Sequence, residues 1–274
     1  MIHKVSKEKL FCFGIVLLLG FGVISLIGSY GLQNESIHPN MAERLLPPSL
    51  QYPLGTDHLG RCIFSRIAEG GLLTLQVSSF SLLVTLLIGV PLGVLSGYFG
   101  GKIDTIIMRI VDGFAAFPDF ILAIVIAGLL GPSLQNVLIA IVAVKWINYA
   151  RVTRSITIAE KEKEYILSAV SIGCTNRRII WKHLFPTVLP HTLTIASLDM
   201  GKIILIIASL SYLGLGAQPP IPEWGAMLND SRAFFQTHPF LMIIPGVMIL
   251  LTVLSFNLIG EGLREVLNVK KVTR

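Results

Sequence analysis

The chain has 274 residues, of which 53% are hydrophobic and only 14% charged, and its mean hydropathy is +0.74. A soluble domain needs far less apolar surface to enclose one core, so a soluble domain is excluded and the surplus must face lipid. The net charge of +6 would suit a nucleic-acid partner if it were gathered on a soluble basic domain, but the positive residues alternate with apolar segments, which is a pattern of membrane topology.

A helix crossing the hydrocarbon layer takes roughly 20 apolar residues, because every backbone polar group must be satisfied inside the segment. Residues 11–27 are uncharged and follow Lys4, Lys7 and Lys9. No small-residue cleavage pattern follows Ile27, so this run reads as an uncleaved anchor. Residues 70–101 also lack charge, and Gly89, Gly93, Gly97 and Gly101 recur there at every fourth position. Such a stripe lets a second helix approach closely, with Pro91 kinking the same helix. The run 120–130 is too short alone and recruits the residues after Ile106, among them Arg109, Asp112, Pro118 and Asp119. Further spans are predicted over 134–149, 190–213 and 240–260.

The expected fold is therefore an all-α integral membrane protein with six transmembrane helices and cytosolic N and C termini, one domain over residues 1–274. External loops are expected at 31–71 and 214–239, and a cytosolic segment at 151–186. Sixteen of the 22 Lys and Arg residues fall on the inner side of this arrangement and four, Arg44, Arg61, Arg66 and Arg232, on the outer side, as the positive-inside tendency requires. Lys145 and Lys202 lie within spans. Cys12, Cys62 and Cys174 are placed at different depths, so no disulfide is expected.

A turn between spans needs only a few residues, whereas the inner segment has about thirty-five. It opens on a charged run, 160–164, and then sets Ile166, Ala169, Val170 and Gly173 at helical spacing, which predicts a short amphipathic helix. Such a helix can enter a groove on a cytosolic partner or rest on lipid headgroups. A second, basic helical piece over 177–184 is expected to end near Pro186 and Pro190.

These residues resemble the inner-membrane permease subunits of binding-protein-dependent ABC importers of the peptide/nickel class. The cytosolic coupling motif of that class, Glu-Ala-Ala, three residues, Gly, nine residues, Ile-x-Leu-Pro, falls on Leu167-Ser168-Ala169, Gly173 and His183-Leu184-Phe185-Pro186. Ala169, Gly173 and Pro186 match it, while Leu167, Ser168, His183 and Phe185 depart from it. Three further blocks carry the likeness: Pro53-Leu54-Gly55-Thr56-Asp57-His58-Leu59-Gly60-Arg61, Ser209-Leu210-Ser211-Tyr212-Leu213-Gly214-Leu215-Gly216, and Glu223-Trp224-Gly225. Cys62 stands where the class usually has Asp. Leu198-Asp199-Met200-Gly201 together with the block from Glu223 to Asp230 resembles the nickel branch more than the peptide branch.

The resemblance implies a non-catalytic subunit of the prokaryotic inner membrane, working with a second homologous permease, two cytosolic ATPases and an extracytoplasmic binding protein. No GxxxxGK[ST] phosphate loop occurs, so ATP and Mg belong to the partner subunits and this chain is expected to bind no cofactor. ATPase coupling is expected from Glu164, Ile166, Leu167, Ser168, Ala169, Val170, Gly173 and Pro186. Asp199 and Lys202, three apart on the fifth span, could pair statically or face the translocation pathway with Met200. Asp57, Arg61 and Glu223 are candidates for receiving the binding protein, or for packing the loop itself. No histidine spacing builds a metal site, and His191, near the inner mouth of the fifth span, is the one weak candidate. The expected cargo is nickel or a nickel/cobalt-chelate complex, with di- and oligopeptides as the alternative. Rival readings are a membrane scaffold recruiting a cytosolic partner and a membrane enzyme, which lacks a nucleophile–base cluster.

Overall fold

The computed structural model describes residues 11–23, 25 and 36–272. Lys4, Lys7, Lys9 and the end of the predicted first span lie outside the described residues. Among the described residues the α-helices are α1 (Phe11–Val23), α2 (Ile63–Phe99), α3 (Gly101–Ala115), α4 (Asp119–Leu130), α5 (Leu134–Lys161), α6 (Glu164–Ser171), α7 (Asn176–Ile179), α8 (Phe185–Tyr212), α9 (Trp224–Ser231) and α10 (Phe240–Val272). No strand occurs among the described residues beyond an isolated bridge between Thr56 and Cys62.

Among the described residues three helices are long and apolar enough to cross a bilayer: Ile63–Phe99, Asn176–Tyr212 and Phe240–Arg264. α3 and α4 together meet the same test but bend by 86° at their junction, where Pro118 precedes α4 and cannot continue the helix of α3. α5 is 28 residues long but too polar to qualify by composition, since Gln135, Asn136, Lys145 and Arg151 interrupt its apolar run.

The glycine stripe explains how α2 and α5 meet. A Cβ at Gly89 would come within 2.7 Å of Tyr149 Cβ, at Gly93 within 2.5 Å of the Ala150 carbonyl, and at Gly97 within 2.8 Å of Thr157 Cβ. Three successive turns of α2 therefore touch α5 with backbone where side chains would normally stand. Gly101 does not extend the stripe. It has φ +53° and open space around it, and with Gly100 it makes the turn into α3.

Asn176–Tyr212 is one continuous 37-residue helix, so the predicted basic piece does not stop at Pro186. A π-helical turn over Ile180–Leu184 carries the chain past the proline: Phe185 N–H donates to the Ile180 carbonyl, one residue further back than in an α-helix. Pro190 lies within α8. Two cores flank α8: Met200, Ile204 and Ala208 pack with Trp224, Met227 and Phe21, while Ile203, Ile207 and Leu210 pack with α4 and α5.

Candidate functional site

α6 begins at a fastened corner. Lys163 Nζ donates to Glu160 Oε1 at 2.5 Å and Tyr165 Oη donates to Glu160 Oε2 at 2.8 Å. Burial pushes the Glu160 carboxyl up, but these two hydrogen bonds and the Lys163 charge outweigh it and hold the group below the ordinary carboxylate range. Glu164 sits exposed in the first turn of α6, where a carboxylate complements the helix dipole.

The two faces of α6 divide its apolar residues. Ile166 and Ala169 are buried against Tyr98, Ile179 and Leu184 of the same chain, so they are not free to enter a partner's groove as the spacing suggests. Leu167 and Val170, each 53% exposed, and Ile172, 80% exposed, form the outward patch, with Ser168 exposed beside them. The end of α6 is a Schellman motif: Cys174 N–H donates to the Ala169 carbonyl and Gly173 N–H to the Val170 carbonyl, both at 3.0 Å. Gly173 has φ +79° with nothing near its absent Cβ, so the turn needs glycine for its backbone alone. Thr175 then caps the next helix. Tyr98 Oη donates to Asn176 Oδ1 at 2.9 Å, and Lys161 Nζ donates to the Tyr98 carbonyl at 2.8 Å. The segment is thereby held to the C-terminal ends of α2 and α5. Pro186 stands apart from the patch, exposed in the first turn of α8.

Asp199 and Lys202 pair as their spacing predicts, with Nζ 2.8 Å from Oδ1. Tyr149 Oη donates to the other oxygen, Oδ2, at 3.0 Å, a partner from α5 that no local pattern announces. Asp199 is buried, whereas the Lys202 side chain is 66% exposed, so the pair presents an ammonium group outward on a tethered carboxylate. Met200 faces the core at 4% exposure and does not share that outlook. His191 is occupied locally, its Nδ1 lying 2.9 Å from the Thr187 carbonyl. Among the described residues no three His, Cys, Asp or Glu side chains converge as metal ligands.

The loop before α2 is ordered by charge inside the protein. Asp57 accepts from the backbone N–H groups of Leu59 and Arg61 at 2.9 and 3.0 Å and from Arg61 Nε at 2.7 Å. Arg66 Nε lies 3.5 Å from the same carboxylate, and both arginines approach Asp230, at 3.8 and 3.9 Å. Glu223 caps α9, its Oε2 accepting from Ala226 N–H at 3.0 Å, and burial pushes its carboxyl up. Asp57, Arg61 and Glu223 are 6%, 2% and 0% exposed. They do not form an exposed rim, because each spends its charge on the chain's own backbone and on its neighbours. Trp224 is also fully enclosed, its Nε1 donating to the Ile67 carbonyl at 3.1 Å.

A set of contacts that sequence reasoning missed runs between the bent helices and α5. Arg154 grips Asp104 with two hydrogen bonds at 2.5 and 2.6 Å, with Ser96 a further donor to Asp104. Arg151 reaches Asp112 at 2.7 Å, and Lys145 reaches Asp119 at 3.2 Å. The acids at 104, 112 and 119 pair in reverse chain order with the bases at 154, 151 and 145. That antiparallel match is the signal a reader could have used.

Residues 89–271 match the family described as binding-protein-dependent transport system inner membrane component. The chain belongs to that family. This permease is 43% identical to the dipeptide transport system permease protein DppC of Alkalihalophilus pseudofirmus, over 97% of its own length and 88% of the relative's. It is 38% identical to the nickel transport system permease protein NikC of Escherichia coli K12 over 94% of both chains. It is 44% identical to the glutathione transport system permease protein GsiD of Pectobacterium atrosepticum over 81% of its own length and 74% of the relative's. Two inward-facing structures of the MetNI methionine ABC transporter share its fold, at TM-scores of 0.57 and 0.60 and 21% identity. They cover 75% and 76% of this permease and 95% and 97% of the matched chains. The permease is thus a helical, multi-pass inner-membrane component of the ABC importer class that resembles peptide and nickel systems.

Proposed function

We propose that this permease forms half of a translocation pathway with a second homologous permease, and that two cytosolic ATPases grip it through α6. Six spans with both termini inside follow if α1, α2, the bent α3–α4 pair, α5, α8 and α10 each cross once. The carrying observation is the outward patch of Leu167, Val170 and Ile172 on a helix whose opposite face is locked to its own chain. A partner that pushes on this patch moves the ends of α2 and α5 with it. Coupling requires two global states with different partner contacts, and a rigid attachment transmits such a difference where a loose loop would absorb it.

For the cargo, a small peptide is the reading supported by the 43% identity to DppC, with the exposed Lys202 ammonium as a partner for its carboxylate. Nickel or its chelate is the second reading, favoured by the 38% identity to NikC. The buried network of Asp57, Arg61 and Glu223 supports a role in shaping the outer surface that a binding protein meets. The decisive assay reconstitutes the full complex and compares ATP-dependent uptake of a labelled dipeptide, free nickel and nickel with chelators. Uptake of the dipeptide supports the first reading, uptake of nickel or a chelate alone supports the second, and uptake of none defeats both.

A further inference from the structure

The continuous helix Asn176–Tyr212 is longer than one crossing needs. Its 37 residues extend about 55 Å at 1.5 Å per residue, against a hydrocarbon core of about 30 Å. Several turns must project, and with the span over 190–213 the projecting turns are those that begin at Asn176.

Those turns carry a graded stripe. Arg177, Arg178 and Lys182 are exposed and, with Thr175 and Trp181, line an open groove of about 430 Å³. Trp181 is 63% exposed and stacks on Phe185 with ring centroids 5.0 Å apart. Further into the span, Leu189 and Leu193 are 37% and 44% exposed. The order along the helix is basic, aromatic, then aliphatic, which is the order of phosphate, glycerol and acyl chain in a lipid. Leu193 and Lys202 are nine residues apart, so they point in directions about 180° apart around the axis. A pathway on the Lys202 side therefore leaves the Leu193 side for the bilayer.

We propose that this groove is a binding site for an anionic phospholipid of the inner leaflet, its phosphate held by Arg177, Arg178 and Lys182 and one chain lying over Phe185, Leu189 and Leu193. This rests on the inward orientation of residues 151–186 proposed above. The groove adjoins the Gly173 turn through Thr175, so the lipid would brace the base of the segment that the ATPases are proposed to push.

The test uses the assembled complex in nanodiscs. The fluorescence difference between the parent and Trp181→Phe isolates this tryptophan, and brominated lipids serve as contact quenchers. Brominated phosphatidylglycerol is expected to quench at a mole fraction roughly tenfold or more below that of brominated phosphatidylcholine, given the attraction of three basic side chains. The triple variant Arg177→Gln, Arg178→Gln, Lys182→Gln is expected to erase the preference and keep the quenching. Equal quenching by both lipids in the parent overturns the proposal. Quenching by neither overturns it too and assigns the face to a protein partner, whether ATPase or companion permease. Loss of the preference in millimolar inorganic phosphate reassigns the groove to free phosphate. A cysteine placed at Arg178, labelled with an impermeant maleimide in sealed vesicles of each orientation, reports the side separately. A preference for phosphatidylglycerol combined with labelling from outside would remove the orientation and keep the lipid site.

Discussion

Gly173 adopts a backbone conformation that other residues enter at a cost of about 1 kcal/mol, and its surroundings add nothing to that cost because no atom lies within 4 Å of its missing Cβ. Gly173→Asn should therefore retain more coupling than Gly173→Val, since Asn tolerates the left-handed region and a β-branched residue does not. The ratio of solute moved to ATP hydrolysed by the purified complex measures this, and equal losses would contradict it. Glu160 provides a pH test. Its carboxyl ionises more readily in the folded than in the unfolded chain, so its stabilisation is present above the ordinary carboxylate range and disappears as pH falls through the lowered range of the folded state. The difference in Tm between the parent and Glu160→Gln should be visible near neutrality and shrink as pH falls below the ordinary carboxylate range. At this scale the sequence was partly legible. The three-residue spacing foretold the Asp199–Lys202 pair, but Tyr149 stands fifty positions away and reaches Asp199 only through helix packing. The spacing of Ile166 and Ala169 announced a helix without revealing that its inner face was already occupied, because apolar residues lie on both faces and periodicity does not say which neighbour each one meets.

At the scale of elements, the glycine stripe on α2 was readable because its consequence is local: no side chain, hence close approach. Gly93→Leu should prevent α2 and α5 from meeting, since even a Cβ there lies 2.5 Å from a carbonyl oxygen; overpacking of this kind costs roughly 1–3 kcal/mol or more. Gly128→Ala, on α4 in open space, should leave Tm of the purified complex unchanged, and comparable losses from both would contradict the packing account. The charge pairs between α3–α4 and α5 predict that Asp104→Arg and Arg154→Asp each lower the yield of assembled complex and that the double reversal restores part of it. No restoration would argue that the pair is incidental, as many partly exposed pairs are. The bend of 86° between α3 and α4 was not foreseen: Pro118 stood only as one residue of a single recruited span, and the bend depends on tertiary packing. The continuity of α7 into α8 was not foreseen, because a π-helical turn carries a proline that local rules treat as a stop.

At the scale of the whole molecule, one rigid arrangement links the three regions: the outward patch of α6, the glycine contact of α2 with α5, and the Tyr149 bond from α5 to Asp199 on α8. Movement imposed at α6 has a continuous packed route to Asp199, and we propose that this route is how ATP use reaches the cargo. Asp199→Asn should lower solute uptake by the reconstituted complex at least tenfold while leaving assembly intact, and unchanged uptake would remove Asp199 from the pathway. The account's central claim is that α6 lies in the cytosol beneath an ATPase. It is tested most directly by placing a single cysteine at Leu167, with Cys12, Cys62 and Cys174 replaced by serine, and labelling it with an impermeant maleimide in sealed vesicles. Labelling from the cytosolic side alone, suppressed when the ATPase subunits are assembled, is the predicted result; labelling from the outer side, or labelling that the ATPases do not suppress, would contradict it.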